Sequence, residues 1–104
     1  MAGIDYRELR RRVKMAAVLA VLAFEAVERR GEQVRGPCPL HGSGSPRSRS
    51  FAAHLGRGVY HCFVCGAGGN VLDLWVARTG LPLYRAALDL CERLPLEVPW
   101  QASP

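Results

Sequence analysis

Cys38-Pro39-Leu40-His41 and Cys62-Phe63-Val64-Cys65 are two tight pairs of metal-binding side chains with twenty residues between them. A two-residue gap lets both side chains of a pair turn inward at one reverse turn, so each pair supplies half a tetrahedron. Thiolate and imidazole in that arrangement suit Zn²⁺, with bonds of roughly 2.3 Å to sulfur and roughly 2.0 Å to nitrogen. Four protein ligands fill the shell, so the expected zinc is a single structural ion with no open position for catalysis.

The expected ligands are Cys38, His41, Cys62 and Cys65. A redox Cys-x-x-Cys pair would need a βαβ context, whereas Cys62 follows the strand-like run Val59-Tyr60-His61. Two residues compete with His41 for the fourth position. Cys91 falls on the stripe Leu83, Ala87, Leu90, Cys91, Leu94, a helical spacing that suits a small buried hydrophobe. His61 adjoins Cys62 in a strand, where neighbouring side chains point to opposite faces.

A chain of 104 residues holds one domain and a modest core. Metal affinity becomes folding free energy in so small a domain. The Cys-x-x-His and Cys-x-x-Cys pairs, with Cys91 in the middle of a helix, argue against a secreted disulfide framework and for a reducing cytoplasm. Arg10-Arg11-Arg12-Val13-Lys14 before the apolar run Met15 to Phe24 has the outline of a secretory signal. The run is too short to span a membrane, acids precede the basic cluster, and no small-residue cleavage site follows. Met15, Val18, Leu19 and Leu22 instead make the one-sided stripe of a core helix.

The net charge of +5 is unevenly spread. No acid lies between Gln33 and Leu72, a stretch that carries Arg35, Arg47, Arg49 and Arg57. The segment from Asp73 onward sets Asp73, Asp89, Glu92 and Glu97 against Arg78, Arg85 and Arg93. A basic metal centre beside a mildly acidic end suggests a polyanionic partner. The thirteen arginines against one lysine also fit a solvated surface shaped by genome composition.

Patterning predicts an α+β fold: a zinc ribbon with a small antiparallel sheet flanked by about three helices. The leading helix is expected over 5–26, the ribbon over 33–69, further helices over 70–94, and a loose tail over 98–104, with residues 1–97 as one domain. Gln33-Val34-Arg35 opens a strand, and 41–49 reads as a glycine- and serine-rich loop. Ser50 to His54 and Val59 to Cys62 form a hairpin through Gly56-Arg57-Gly58. The glycines after Cys65 tolerate positive φ and let backbone N–H groups approach the sulfurs. Asn70-Val71-Leu72-Asp73 is a capping box, with Gly80 ending that helix; Pro82 opens the next, in which Leu83, Ala86, Ala87, Leu90 and Leu94 face inward.

Taken whole, CPLHGSGSPRSRSFAAHLGRGVYHCFVCGAGGNVLDLW (Cys38–Trp75) resembles the zinc-binding domain of bacterial and phage DNA primases of the DnaG type. The CPxH, the Ser-Phe strand opening and YHCFxCGAGGN before a hydrophobic helix carry the likeness, which extends over about residues 5–97. It implies a zinc ribbon that contacts single-stranded template DNA and helps select initiation sites beside a separate catalytic domain. By position it implies Cys38, His41, Cys62 and Cys65 on zinc, with Tyr60, His61 and Phe63 in an aromatic strand near the template. Arg47, Arg49 and Arg57 are the candidate phosphate contacts. Phe51 and Phe63 fit core positions as well as contact positions.

This chain departs from the family pattern in two ways. The loop lysine usual after the CPxH histidine is replaced by Gly42-Ser43-Gly44-Ser45-Pro46, and Arg47-Ser48-Arg49 resembles an insertion that restores the charge. Primer synthesis also needs clustered carboxylates to hold Mg²⁺. The acids here are scattered, no residue is assigned a catalytic role, and the chain alone is not expected to make primers. The expected function is binding single-stranded DNA and assisting a separate primase catalytic subunit or helicase, away from any membrane. The alternative is a zinc-ribbon adaptor that docks a replication or mobile-element protein through its amphipathic helices.

Overall fold

Alternation of side chains along the strands decides which face of the sheet is covered. The computed structural model describes residues 3–41 and 45–101. Strands β1 (Glu28–Arg30), β2 (Gln33–Gly36), β3 (Phe51–His54), β4 (Val59–Cys62) and β5 (Gly68–Asn70) form one antiparallel sheet in chain order. Val34, Gly36, Phe51, Ala53, Tyr60 and Cys62 point inward and are buried. Strand pairing lines up Glu28, Arg35, Ala52, His61 and Gly68 in one row across the outer face. Arg30, Gln33, His54, Val59 and Asn70 make the second row, nearer the turns.

Among the described residues four helices accompany the sheet: α1 (Tyr6–Arg12), α2 (Met15–Val21), α3 (Val71–Thr79) and α4 (Leu83–Arg93). The expected α+β zinc-ribbon class is observed, with four helices in place of about three. The fourth arises because the helix expected over 5–26 is broken at Val13 and Lys14, both extended. The cause is phase. At about 100° per residue, Leu9 and Val13 would lie about 150° from the stripe of Met15, Val18, Leu19 and Leu22. One straight helix could not bury both sets, and the break lets all but the half-buried Leu22 bury fully.

Phe51 is fully buried, tilted against Phe24 at 5.2 Å and stacked on Tyr60 at 5.6 Å between centroids. Helix α3 starts from the expected capping box, with Asn70 accepting from Leu72 and Asp73 N–H while Asp73 accepts from Asn70 N–H. It ends at Gly80 with φ 75°, left-handed backbone that favours glycine. Trp75 on α3 donates its indole N–H to Asp89 on α4 at 2.8 Å. The inner stripe of α4 is Ala86, Ala87, Leu90 and Cys91, so Cys91 is a buried hydrophobe. Leu83 was expected inside but is 44% exposed, because the stripe begins only at the second turn.

The tail is not loose over its described part. Ile4 bridges to Trp100, Pro99 accepts from Asp5 N–H at 2.7 Å, and Gln101 donates to Gly3 at 2.7 Å, so chain end and chain start form an extended pair. Residues 102–104 of the expected tail, and Gly42, Ser43 and Gly44 of the expected loop, lie outside the described residues. Among the described residues no helix is long and apolar enough to cross a membrane.

Candidate metal centre and the adjoining sheet face

Two reverse turns meet at one end of the sheet. The first follows β2, where Gly36 admits the chain: a Cβ there would lie 2.7 Å from the Glu25 carbonyl and 2.8 Å from the Phe24 ring. The second follows β4 and is closed by Gly66 N–H to the Cys62 carbonyl at 3.0 Å, with Gly66 at φ 78°. Phe63 N–H to Ser50 and Cys62 N–H to Ala67 fix the turn to its neighbours at 2.7 and 2.8 Å. The ligand atoms of Cys38, His41, Cys62 and Cys65 consequently lie within 4.8 Å of one another.

That cluster suits the ion expected. Tetrahedral zinc places its ligand atoms about 3.5–3.8 Å apart, so a small contraction closes the site. His41 Nε2 already stands 3.3 Å from Cys62 Sγ. Leu40 and Cys65 N–H groups approach Cys38 and Cys62 sulfurs at 3.4 Å each. These donors are backbone groups of the two turns themselves. Burial pushes the Cys62 thiol up, but the N–H groups of Cys65 and Val64 and the side chains of His41 and Cys65 outweigh it and hold the thiol down at about 6. Burial, reinforced by neighbouring Cys62, pushes Cys38 up to about 11. Cys62 is therefore the first of this pair to become a thiolate, and a bound cation holds both deprotonated. His61 and Cys91 take no part in the cluster.

The structure sorts the sequence-derived contact residues into separate places. His61 and Phe63 share one patch of surface, ring centroids 4.7 Å apart and edge to face. Phe63 is 63% exposed. Tyr60 does not join them: strand alternation turns it inward onto Phe51, and burial first, with the charge of Asp73 next, pushes its hydroxyl up to about 12. Arg49 is exposed and ion-paired with Glu28 at 2.9 Å, Arg47 is exposed nearby in sequence, and Arg57 sits on the β3–β4 turn at the opposite end of the strands.

One member of the patch escaped sequence reasoning as a site residue. Arg35 stacks its guanidinium 5.1 Å from the Phe63 ring centroid and donates to the Arg49 carbonyl at 2.6 Å. Its Nε is buried with no hydrogen-bond partner among the described residues. Only the β2–β3–β4 register brings Arg35 into the row of His61, and register is set by long-range pairing.

Fold and ligand geometry together define a zinc ribbon of the Cys-His-Cys-Cys type holding one structural zinc. The chain belongs to the CHC2 zinc-finger family, whose profile matches residues 4–103. A DNA primase of Halalkalibacterium halodurans is 32% identical over 97 residues, covering 93% of this chain and 15% of that protein. A DNA primase of Geobacillus stearothermophilus is 31% identical over 90 residues, covering 86% of this chain and 14% of that protein. The crystal structure of the Aquifex aeolicus primase (zinc binding and RNA polymerase domains) superposes with a TM-score of 0.68 at 26% identity, over 99% of this chain and 23% of that one. The chain thus spans about one seventh of the length of those two relatives.

Proposed function

We propose that this chain is a primase-type DNA-binding module that holds single-stranded template DNA for RNA primer synthesis by a separate polymerase domain or subunit in DNA replication. The observation that carries this reading is the outer sheet face beside the zinc turns, where exposed Phe63 and His61 adjoin Arg35 and Arg49. Aromatic rings stack on unpaired bases, each stack contributing about 1–3 kcal/mol, while arginines follow the phosphates. Gly68, paired opposite His61, brings no side chain, and a Cβ there would stand 3.2 Å from His61 Nδ1. The imidazole is therefore open on that side. Arg47 and Arg57 extend the basic surface, Tyr60 supports it from within, and the zinc fixes the turn that carries Phe63. Cys38, Cys62 and Cys65 as zinc thiolates, with Cys91 a buried thiol, suit a reducing cytoplasm.

Fluorescence anisotropy of labelled single-stranded DNA with zinc-quantified protein tests this at low and high salt. Salt-sensitive binding that disappears on chelation is expected, because phosphate contacts release counterions. The same affinity at both salts, or none in a folded, zinc-loaded protein, would sink it. Exposed Leu83, Tyr84 and Trp100, the latter two 6.5 Å apart between centroids, favour a second reading in which the helices dock a partner protein. Tyr84→Ala with Trp100→Ala separates the two: it spares DNA binding and removes the docking contact.

A further inference from the structure

Away from the zinc, a cleft of about 580 Å³ opens between the α1–α2 break and the β3–β4 turn. Among the described residues its cations are Arg10, Arg11, Lys14 and Arg57, against the single acid Glu32. Glu8 engages Arg11 through two hydrogen bonds, at 2.9 and 2.7 Å. Arg10, Lys14 and Arg57 have no carboxylate partner among the described residues. The apolar lining is aliphatic, with Val13, Met15 and Leu55 but no aromatic ring among the described residues. Such a site attracts phosphate and offers bases no stacking surface.

The α1–α2 break has a second consequence besides burying two apolar stripes. It brings Lys14, at the junction, into the same cleft as Arg10 of α1 and Arg57 of the hairpin. We infer that this cleft is a phosphate-binding site for consecutive phosphates, with Arg10, Lys14 and Arg57 as its ligands. Two sources share that chemistry: the backbone of a strand whose bases lie on the outer sheet face, and a free oligophosphate such as a nucleoside triphosphate. The strand source rests on the DNA-binding reading above; the phosphate site itself does not. His54 and Val59 of the second outer row end the strands that the β3–β4 turn joins, so a strand leaving the Phe63 patch along β4 reaches the turn carrying Arg57.

The test uses the zinc-loaded full chain and the variant Arg10→Gln with Lys14→Gln, both exposed positions whose exchange leaves the core intact. Labelled dT4 and dT12 are titrated by anisotropy across a salt series, and tripolyphosphate by calorimetry. For a strand source, the variant keeps the wild-type affinity for dT4. Its slope of log affinity against log salt for dT12 flattens by about 1.4, two contacts at about 0.7 each. For a free oligophosphate source, tripolyphosphate binding is lost while both oligonucleotides bind as in wild type. Unchanged binding of all three overturns the site. If Phe63→Ala leaves dT4 binding untouched while the double variant still weakens dT12, the sheet-face reading fails and the cleft stands.

Discussion

The guanidinium of Arg35, in the middle of β2, lies 5.1 Å from the ring centroid of Phe63, in the turn between two zinc ligands. His61 meets the same ring edge-on from β4. Phe63 is thus oriented from two sides while remaining 63% exposed. An exposed cation–π contact contributes about 0.5–1 kcal/mol, enough to bias one orientation and too little to hold the fold together. The ring is positioned for contact without being committed to the core.

Phe63→Ala should therefore weaken single-stranded DNA binding by about 1–3 kcal/mol, the worth of one lost stack. Its melting temperature should fall by no more than about 4–8 °C, the worth of a cation–π contact of at most about 1 kcal/mol, since little apolar area is uncovered. Phe51→Ala should do the reverse: it empties a fully buried site between Phe24 and Tyr60 and costs about 3–5 kcal/mol of stability. Anisotropy and thermal denaturation on both variants check the division. A Phe63→Ala protein that unfolds early but binds normally would reverse it.

Zinc removal should unfold the ribbon end of the molecule. The two ligand turns follow β2 and β4, and apparent zinc binding energies in small domains run about 10–16 kcal/mol, comparable to the about 5–15 kcal/mol that holds a whole domain folded. Cys38→Ser should abolish stoichiometric zinc and the cooperative melting transition, whereas Cys91→Ala should retain one zinc per chain. Metal analysis with circular dichroism before and after chelation reads both. Loss of zinc from Cys91→Ala would reopen the ligand assignment.

The ligand turns, the β3–β4 hairpin and the α3 caps were legible because each is encoded within a few residues. Cys-x-x-Cys, Gly56-Arg57-Gly58 and Asn70 with Asp73 need no distant partner to be read. Features that need a distant partner, or a comparison of periodicity from residue to residue, were misread. The apolar run from Met15 reads as one helix with Leu9 and Val13 until the phase of the two stripes is compared. Strand β5 is Gly68-Gly69-Asn70, with no strand propensity of its own, and exists by pairing with β4. Tyr60 and His61 share a motif, yet alternation puts them on opposite faces, a rule already applied to His61 and Cys62 and equally applicable here. Arg35 became a site residue only through register.

The C-terminus of α2 carries a local cost that a single change should relieve. Ala23 has φ 57°, and Phe24 N–H bonds the Leu19 carbonyl at 2.9 Å, the pattern of a left-handed helix cap. Glycine adopts that backbone without the Cβ penalty, so Ala23→Gly should stabilise the protein by about 1 kcal/mol. For a domain this size that is a rise of about 4–8 °C in melting temperature. Ala23→Val should lower it, since branching at Cβ worsens the same clash. Thermal denaturation of both variants decides; a drop for Ala23→Gly would show that the ordering of Ala23 outweighs its strain.

Glu8 links helix chemistry to the proposed phosphate cleft. Hydrogen bonds from Arg11 and then Arg12 hold its carboxyl down at about 2, against an ordinary value of 4.5. A depressed carboxylate contributes its stabilisation fully above the ordinary value and loses it as pH falls from 4.5 through about 2. An NMR titration of the Glu8 carboxyl should accordingly find its midpoint well below that of an exposed glutamate, and Arg11→Gln with Arg12→Gln should return it to the ordinary range. The stability at stake is small, as for any exposed ion pair. The larger consequence is for binding. Arg11 lines the cleft but is occupied by Glu8, so Glu8→Gln should release one further cation to phosphate. The dT12 salt slope should then steepen by about 0.7, the share of one contact. An unchanged slope would place Arg11 outside the phosphate path and leave Arg10, Lys14 and Arg57 as its cations.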